Sequence, residues 1–390
     1  MDRKAVNKTN EMEPKQKKLK IEDYKKPDLP STHKELLDLY KQRRAEKQKH
    51  KEEKLIQQWE QEKKQREEEI AKAKEEEDEE EKSKLLGRHY TVSIALPGSI
   101  LDNAQSRELR SYLAGQIARA AVVFNVDEIV VFDETNALSS DGTIEDAKKQ
   151  GCLQLKLILE YLECPQYLRK GLFKRHEFLQ YAGLLNPLDS PHHMRATDDM
   201  PYREGVVLKK PLRPNQGSFA DVGLLKKEVQ LDKQIEPHVR VTVKMDKNAD
   251  GKKRKGKVVA PSTPRKKLGL YWGYTVRLAA NLGEVFTQCP YDEGYDLTVG
   301  TSERGESIDS LEIPTFKHAL VVFGGVQGLE ASLEVDPNLD EDDPSLLFHH
   351  YVNSCPDQGS RTIRTEEAVL ITMSALRPKI LEAAKIANQQ

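Results

Sequence analysis

The chain has few cysteines, and Cys152, Cys164, Cys289 and Cys355 stand far apart with no C-x-x-C pair. That spacing excludes a zinc ribbon and suggests no disulfide framework, so a reducing compartment is expected. Long apolar runs are also missing. No stretch approaches the roughly 18 apolar residues of a membrane helix, and residues 1–30 carry charge where a signal peptide needs an apolar core. A soluble nuclear or cytoplasmic protein with no membrane partner is the expectation. Net charge is nearly absent at −2, although 32% of the 390 residues are charged. The sum hides basic runs at 15–20 and 252–257 and an acidic block at 75–81, and local charge is what bears on partners. A mean hydropathy of −0.70 is too polar for a uniformly globular chain, so some long segment must be solvated.

That segment is residues 1–87. Apolar side chains are sparse there, and 34–84 is rich in Glu, Lys, Gln and Arg, good helix formers with many i,i+4 pairs and little to bury. A long solvated helix, partly disordered, is expected. It serves either as a plain charged spacer or as an electrostatic arm for RNA or a large assembly. Lys15, Lys17, Lys18 and Lys20 also fit a nuclear import signal.

Order begins at Arg88. Residues 89–96 read as a strand, Ser106 precedes a helix with Leu109, Leu113, Ile117 and Ala120 in helical register, and 128–132 reads as a second strand. A helix over 152–162 ends before Pro165, which gives a parallel α/β pattern over 88–200. Residues 201–264 change character. Short alternating runs at 239–243 and 256–260, joined by a basic loop, predict a small antiparallel β domain. Lys252, Lys253, Arg254 and Lys255 in that loop, with Lys209, Lys210, Arg213, Lys226 and Lys227 around it, favour nucleic acid over an ordinary surface insertion. From 265 to 390 the α/β pattern resumes. An amphipathic helix is expected at 274–286, strands at 295–299, 318–323 and 348–352, and a closing helix at 366–376 that Thr365 caps and Pro378 stops.

Three segments follow those last strands, at 300–305, 324–328 and 353–362. In open α/β sheets ligands bind beyond the carboxyl ends of strands, where glycine lets the backbone approach a ligand closely. Convergence of the three would make one pocket. Gly324-Gly325-Val326-Gln327-Gly328 is not the G-x-G-x-x-G fingerprint, and no acidic partner is clearly placed about 20 residues on, so a nicotinamide enzyme is a poor second reading. His192 and His193 lack a third ligand and read as loop residues rather than a metal site. Cys355 lacks a recognisable neighbouring base and reads as pocket wall rather than nucleophile.

The segments YTVSIALPGSILDN at 90–103, GLYWGYTVRL at 269–278, GTSERG at 300–305 and QGSRTIRTEE at 358–367 resemble the eukaryotic SPOUT-domain methyltransferases. The resemblance runs from 88 to about 376 and leaves the tail out. It implies an α/β SPOUT fold with a C-terminal trefoil knot, an inserted OB-like β-barrel and a homodimer completing the site. S-adenosylmethionine is the implied cofactor, held near Thr301, Gly324, Gly325, Gly328, Asn353, Cys355, Gly359 and Thr362. The implied substrate is a structured RNA, with ribosomal RNA leading and uridine N3 the leading atom. Arg304 and Arg361 are placed for phosphate. Arg364 offers a fixed charge for a phosphate or a developing uracil anion, and Asn103 and Arg88 flank the first strand within reach of a substrate base. Asn103 also suits the turn before the helix. The resemblance further implies nuclear and cytoplasmic residence, with centromere, kinetochore or spindle partners in mitosis. A non-catalytic spindle or centromere adaptor built on the charged tail is the rival from another class.

Methyl transfer from a sulfonium needs mainly in-line placement in a dry pocket, and no metal. A ring nitrogen acceptor must also lose its proton, and no residue is singled out for that task by the sequence. The base must be unpaired or flipped to be reached.

Overall fold

The computed structural model describes residues 41, 44–57, 59–66, 74, 86–139, 147–213, 216–225, 228–246, 254–339, 341 and 343–389. The basic run at 15–20, the acidic block at 75–81 and Lys226, Lys227, Lys252 and Lys253 lie outside them. Two units divide the chain, Met1–Glu75 and Glu76–Gln390. In the first, residues 44–57 and 59–66 are α-helical and exposed, as a segment with nothing to bury should be.

The second unit is built on a six-stranded sheet in the order β11-β9-β10-β1-β2-β8, with every neighbouring pair parallel. Its strands are β1 (Thr91–Pro97), β2 (Glu128–Phe132), β8 (Thr275–Ala279), β9 (Leu297–Ser307), β10 (His318–Val322) and β11 (His350–Asn353). A parallel sheet must be covered on both faces. Val92, Ile94 and Leu96 of β1 face one core, which they share with Ile117 of α1 (Arg107–Val123), Leu155 of α2 (Ala147–Glu163) and Met373 of α7 (Thr365–Gln389). Ala95 faces the other, with Val130, Phe132, Leu282 and Val285 of α5 (Leu282–Thr287) and Leu333 of α6 (Glu330–Glu334). The Ser106 side chain accepts the Leu109 N–H and starts α1, although Leu109 itself is exposed rather than core-facing.

Strand order reverses between β1 and β10. From β1 the chain adds β2 and β8 on one side, while β10, β9 and β11 fill the other. Such a reversal opens a crevice at the carboxyl ends of the two central strands.

Between α3 (Gln166–Leu172) and α4 (Thr263–Leu268) lies a closed barrel of β3 (Tyr202–Val207), β4 (Phe219–Asp221), β5 (Val229–Leu231), β6 (Arg240–Met245) and β7 (Arg254–Val259). Its order is β3-β4-β5-β7-β6, with β5 and β7 parallel and the other neighbouring pairs antiparallel, which is OB-type connectivity. Buried Arg203 is satisfied by three carbonyls, those of Val222, Asp198 and Arg195, at 3.0, 2.9 and 2.7 Å. Glu204 of β3 accepts from Trp272 Nε1, Thr242 Oγ1 and Arg240 Nε at 2.6, 2.6 and 2.7 Å. Arg240 in turn grips Glu163 at the end of α2, so a buried charge network joins barrel to sheet domain.

Three sequence expectations are corrected. Residues 274–286 are not one helix but β8 followed by α5. Thr275 to Ala279 pair in register with Glu128 to Phe132, and the Asn281 side chain then caps α5 by accepting the Glu284 N–H at 2.9 Å. Val276 and Leu278 join one core and Ala279 the other, so strand alternation decides what short-range spacing leaves ambiguous. The expected loop at 300–305 lies inside β9. There the register against β11 jumps from Tyr351 opposite Gly300 to Val352 opposite Glu306, which makes the intervening residues a bulge. Pro378 does not stop α7. Val369, Met373, Leu376, Ile380 and Ala383 are buried on a face that continues past the exposed proline, and that packing outweighs the missing backbone bond.

Candidate active site

The glycine segments gather at the carboxyl end of the sheet. Gly324 follows β10, and the Gly328 N–H returns to the Gly325 carbonyl at 3.2 Å, closing a tight loop in which Gly328 has φ +79°. A Cβ on Gly324 would lie 2.9 to 3.1 Å from backbone atoms of Gly328 and Leu329, and one on Gly300 would collide with the Phe348 and Tyr351 rings. These positions demand glycine because backbone passes backbone, or ring, with no room for a side chain. At the exposed tip, the N–H groups of Val326 and Gln327 have no acceptor among the described residues.

Hydrogen bonds tie the neighbouring segments to this loop. Thr301 Oγ1 donates to the Val322 carbonyl at 3.0 Å, and Thr365 Oγ1 to the Gly324 carbonyl at 3.2 Å. Thr365 therefore pins α7 to the glycine loop rather than capping its own helix. Capping falls to Glu367, whose carboxylate accepts the Arg364 N–H at 3.0 Å. Asn353 donates to the Glu303 carbonyl at 3.0 Å and accepts the Cys355 N–H at the same length, fastening the 353–362 loop to the β9 bulge. Thr301, Gly324, Gly325, Gly328, Asn353 and Cys355 are thus joined in one assembly. Gly359, Thr362, Arg361 and Arg364 extend from it into solvent. Nothing lies within 4 Å of where a Gly359 Cβ would stand.

Other expected site residues fall differently. Arg304 is 75% exposed and pairs with Glu330 at 3.3 Å, leaving its charge accessible. Asn103 is the exposed last residue of the otherwise largely buried 3-10 turn that follows β1. Arg88 does not belong with them. Both its terminal nitrogens donate to the Asp127 carboxylate at 2.7 Å, and the pair sits at the amino ends of β1 and β2, across the sheet from the glycine loops. Its fork is consumed by a structural ion pair. His192 and His193 point to Glu163, whose backbone carbonyl they meet at 2.9 and 2.6 Å, and no group of residues able to hold a metal occurs among the described ones. In the barrel, Arg254 and Lys255 open β7, Lys209 and Arg213 are exposed, and Lys210 is engaged by Glu228 at 2.5 Å.

Two residues at the crevice are not singled out by the sequence, Ser99 and Glu134. Ser99 follows β1 and Glu134 follows β2, and the Ser99 hydroxyl donates to the Glu134 carboxylate. The signal that finds them is position alone: both come just past the carboxyl ends of central strands.

A parallel sheet with a reversal crevice, backbone-lined glycine loops beside it and a closed barrel inserted in the chain define the class, an α/β protein with a ligand crevice and a separate β module. Residues 91–376 match the family described as "Putative RNA methyltransferase", and the chain belongs to that family. It is 59% identical over 303 residues to a human protein named 28S rRNA (uridine-N(3))-methyltransferase, covering 76% of this chain and 80% of the relative. A Drosophila melanogaster protein of the same name is 52% identical over 306 residues, 74% of this chain and 62% of that one. Among solved structures, the SpoU methyltransferase AviRb from Streptomyces viridochromogenes in complex with AdoMet aligns over 75% of this chain and 59% of its own, at TM-score 0.28 and 9% identity, values too low to carry an argument.

Proposed function

We propose that this protein transfers a methyl group from S-adenosylmethionine to N3 of a uridine in large-subunit ribosomal RNA. The observation that carries the reading is the glycine assembly at the carboxyl end of the sheet, in a chain of this family. Gly324, Gly325 and Gly328 present backbone rather than side chains, as a site must that holds an adenosyl group closely. Backbone groups near Thr301, Asn353, Cys355, Gly359 and Thr362 complete the holding set, and the trefoil knot belongs to this proposal. The bound cofactor supplies an electrophilic methyl group on a positively charged sulfur. Arg364 and Arg361 stand at the rim, where a guanidinium steadies phosphate or a developing uracil anion, and Arg304 adds a third charge. Asn103 faces the same crevice as a base-positioning residue. The barrel supplies RNA affinity through Arg254, Lys255 and the loop before them, as phosphate contacts do.

Support for a homodimer comes from the groove between α1 and α7, where Tyr112, Val123 and Leu370 are about half exposed. A second copy presenting the same helices covers this apolar strip and brings its own α1 to the Glu366 end of the partner's α7, next to the glycine loops. An adaptor reading has its own support. The described tail helix exposes Leu55, Ile56 and Trp59 together on an otherwise charged surface, the pattern of a helix that docks in a partner's groove. Nuclear and cytoplasmic residence, with spindle or centromere partners, goes with that tail. The test is incubation of purified protein with labelled S-adenosylmethionine and unmodified transcribed large-subunit rRNA, followed by nucleoside mass spectrometry. 3-Methyluridine supports the enzyme reading, and its absence leaves the adaptor.

A further inference from the structure

We infer that Glu134 accepts the proton that leaves uridine N3 during methyl transfer. The inference rests on the proposed function and supplies the base that function requires. Glu134 lies two residues past Phe132, the last residue of β2, at the carboxyl end of the sheet beside the β1 and β10 crevice. Its carboxylate spans that crevice. One oxygen, Oε2, takes the hydroxyl of Ser99 from the turn after β1. The other, Oε1, faces the glycine loop so closely that a Cβ on Gly325 would collide with it, and among the described residues it accepts no hydrogen bond. A carboxylate oxygen with an open lone pair thus sits between the loop assigned to the cofactor and the turn that ends in Asn103.

The neighbouring acids are committed elsewhere. Asp133 accepts from Thr135 N, Thr135 Oγ1 and Leu138 N at 2.8, 2.7 and 2.9 Å and is a turn-forming group. Asp102 is half exposed and faces Arg110 at 3.5 Å. Cys152 of α2, packed under the same turn, is pushed up to about 12 by burial and by Asp133, so it is a neutral thiol. Burial also raises the Glu134 pKa above the ordinary glutamate value; the Ser99 bond opposes this, and Asp133 and Asp102 add to it. A stronger base is the result, which suits removal of a weakly acidic imide proton. In the step itself, the N3–H proton passes to Glu134 and the N3 electron pair forms the N–C bond. The C–S bond breaks with its pair returning to sulfur, leaving a thioether and 3-methyluridine.

Glu134→Gln keeps size and the Ser99 bond while removing the base. Three measurements on the full chain test it: melting temperature, calorimetric affinity for S-adenosylmethionine, and single-turnover methylation of unmodified large-subunit rRNA across pH. Expected are an unchanged fold, cofactor affinity within about a factor of two, and a rate lower by on the order of 100-fold at pH 7. Wild type should gain rate with pH and level off once Glu134 is ionised, whereas the variant's rate should keep climbing as the imide ionises unaided. Glu134→Asp should recover part of the rate. An unchanged rate, or a drop in cofactor affinity that accounts for the whole rate decrease, overturns the role of Glu134 while leaving the methyltransferase reading intact. If wild type itself forms no 3-methyluridine, the function and this inference fall together.

Discussion

The Arg240 guanidinium on barrel strand β6 donates to both carboxylate oxygens of Glu163 at the end of α2, at 2.6 and 3.0 Å. A third bond, from its Nε to Glu204 at 2.7 Å, makes one side chain the pin between barrel and sheet domain. Glu163 and Glu204 are 8% and 4% exposed, so removing Arg240 takes the shared arginine countercharge from two buried carboxylates. Arg240→Ala should destabilise the protein by about 3–5 kcal/mol, the cost of breaking a buried pair from one side. Denaturant unfolding followed by tryptophan emission reads it, since Trp272 donates to the same Glu204.

Stability should also fall in mild acid. Burial, then the adjacent His192, lowers the His193 pKa from 6.5 to about 4. Between those two values the unfolded chain binds more proton than the folded one, so stability declines as pH drops from 6.5 to 4, and this group adds no further decline below that. Glu163 acts in a lower window. Burial opposes its ionisation, but Arg240 and the His192 ring, whose Nε2 also lies 2.9 Å from the Glu163 carboxylate, outweigh burial and hold it at about 2, so its contribution is complete above 4.5 and disappears as pH falls toward 2. Melting curves of His193→Gln should show a smaller change between pH 6.5 and 4.5 than wild type.

Much of this fold can be read in the residues, for physical reasons that also explain the failures. β2 matches its expected bounds because a continuous apolar run buried on both faces has few alternatives. Period-two runs signal the barrel, and having nothing to bury signals the tail. β8 is hidden because Thr275 to Ala279 carries Arg277, whose guanidinium is absorbed by Glu128 at 3.0 Å, a partner 149 positions away. Glycine marks the loop assembly in outline, but that 300–305 is a bulge depends on pairing with β11. Arg88 misleads because sequence proximity to β1 does not say which end of the sheet a side chain serves.

The cofactor assignment is tested at Gly328. Valine there must adopt φ near +79°, a conformation β-branched residues avoid, in a loop whose closing bond is to Gly325. Gly328→Val should abolish calorimetric binding of S-adenosylmethionine with the circular dichroism spectrum unchanged. Arg364→Ala should do the reverse, keeping cofactor affinity while slowing single-turnover methylation by on the order of 100-fold.

RNA binding by the barrel should be largely electrostatic. Neutralising Lys252, Lys253, Arg254 and Lys255 together should flatten the plot of log affinity against log salt by roughly 3, because each neutralised phosphate on a single strand contributes about 0.7 to the slope. An unchanged slope would make that basic run, whose Arg254 and Lys255 belong to β7 rather than to a loop, ordinary solvated surface.

The central claim is methylation of uridine N3 in large-subunit rRNA, and mass spectrometry of rRNA nucleosides from cells with and without the protein tests it most directly. Loss of 3-methyluridine from large-subunit rRNA on depletion, restored by wild type and not by Gly328→Val, is the predicted result. An unchanged 3-methyluridine content after complete removal of the protein would contradict it.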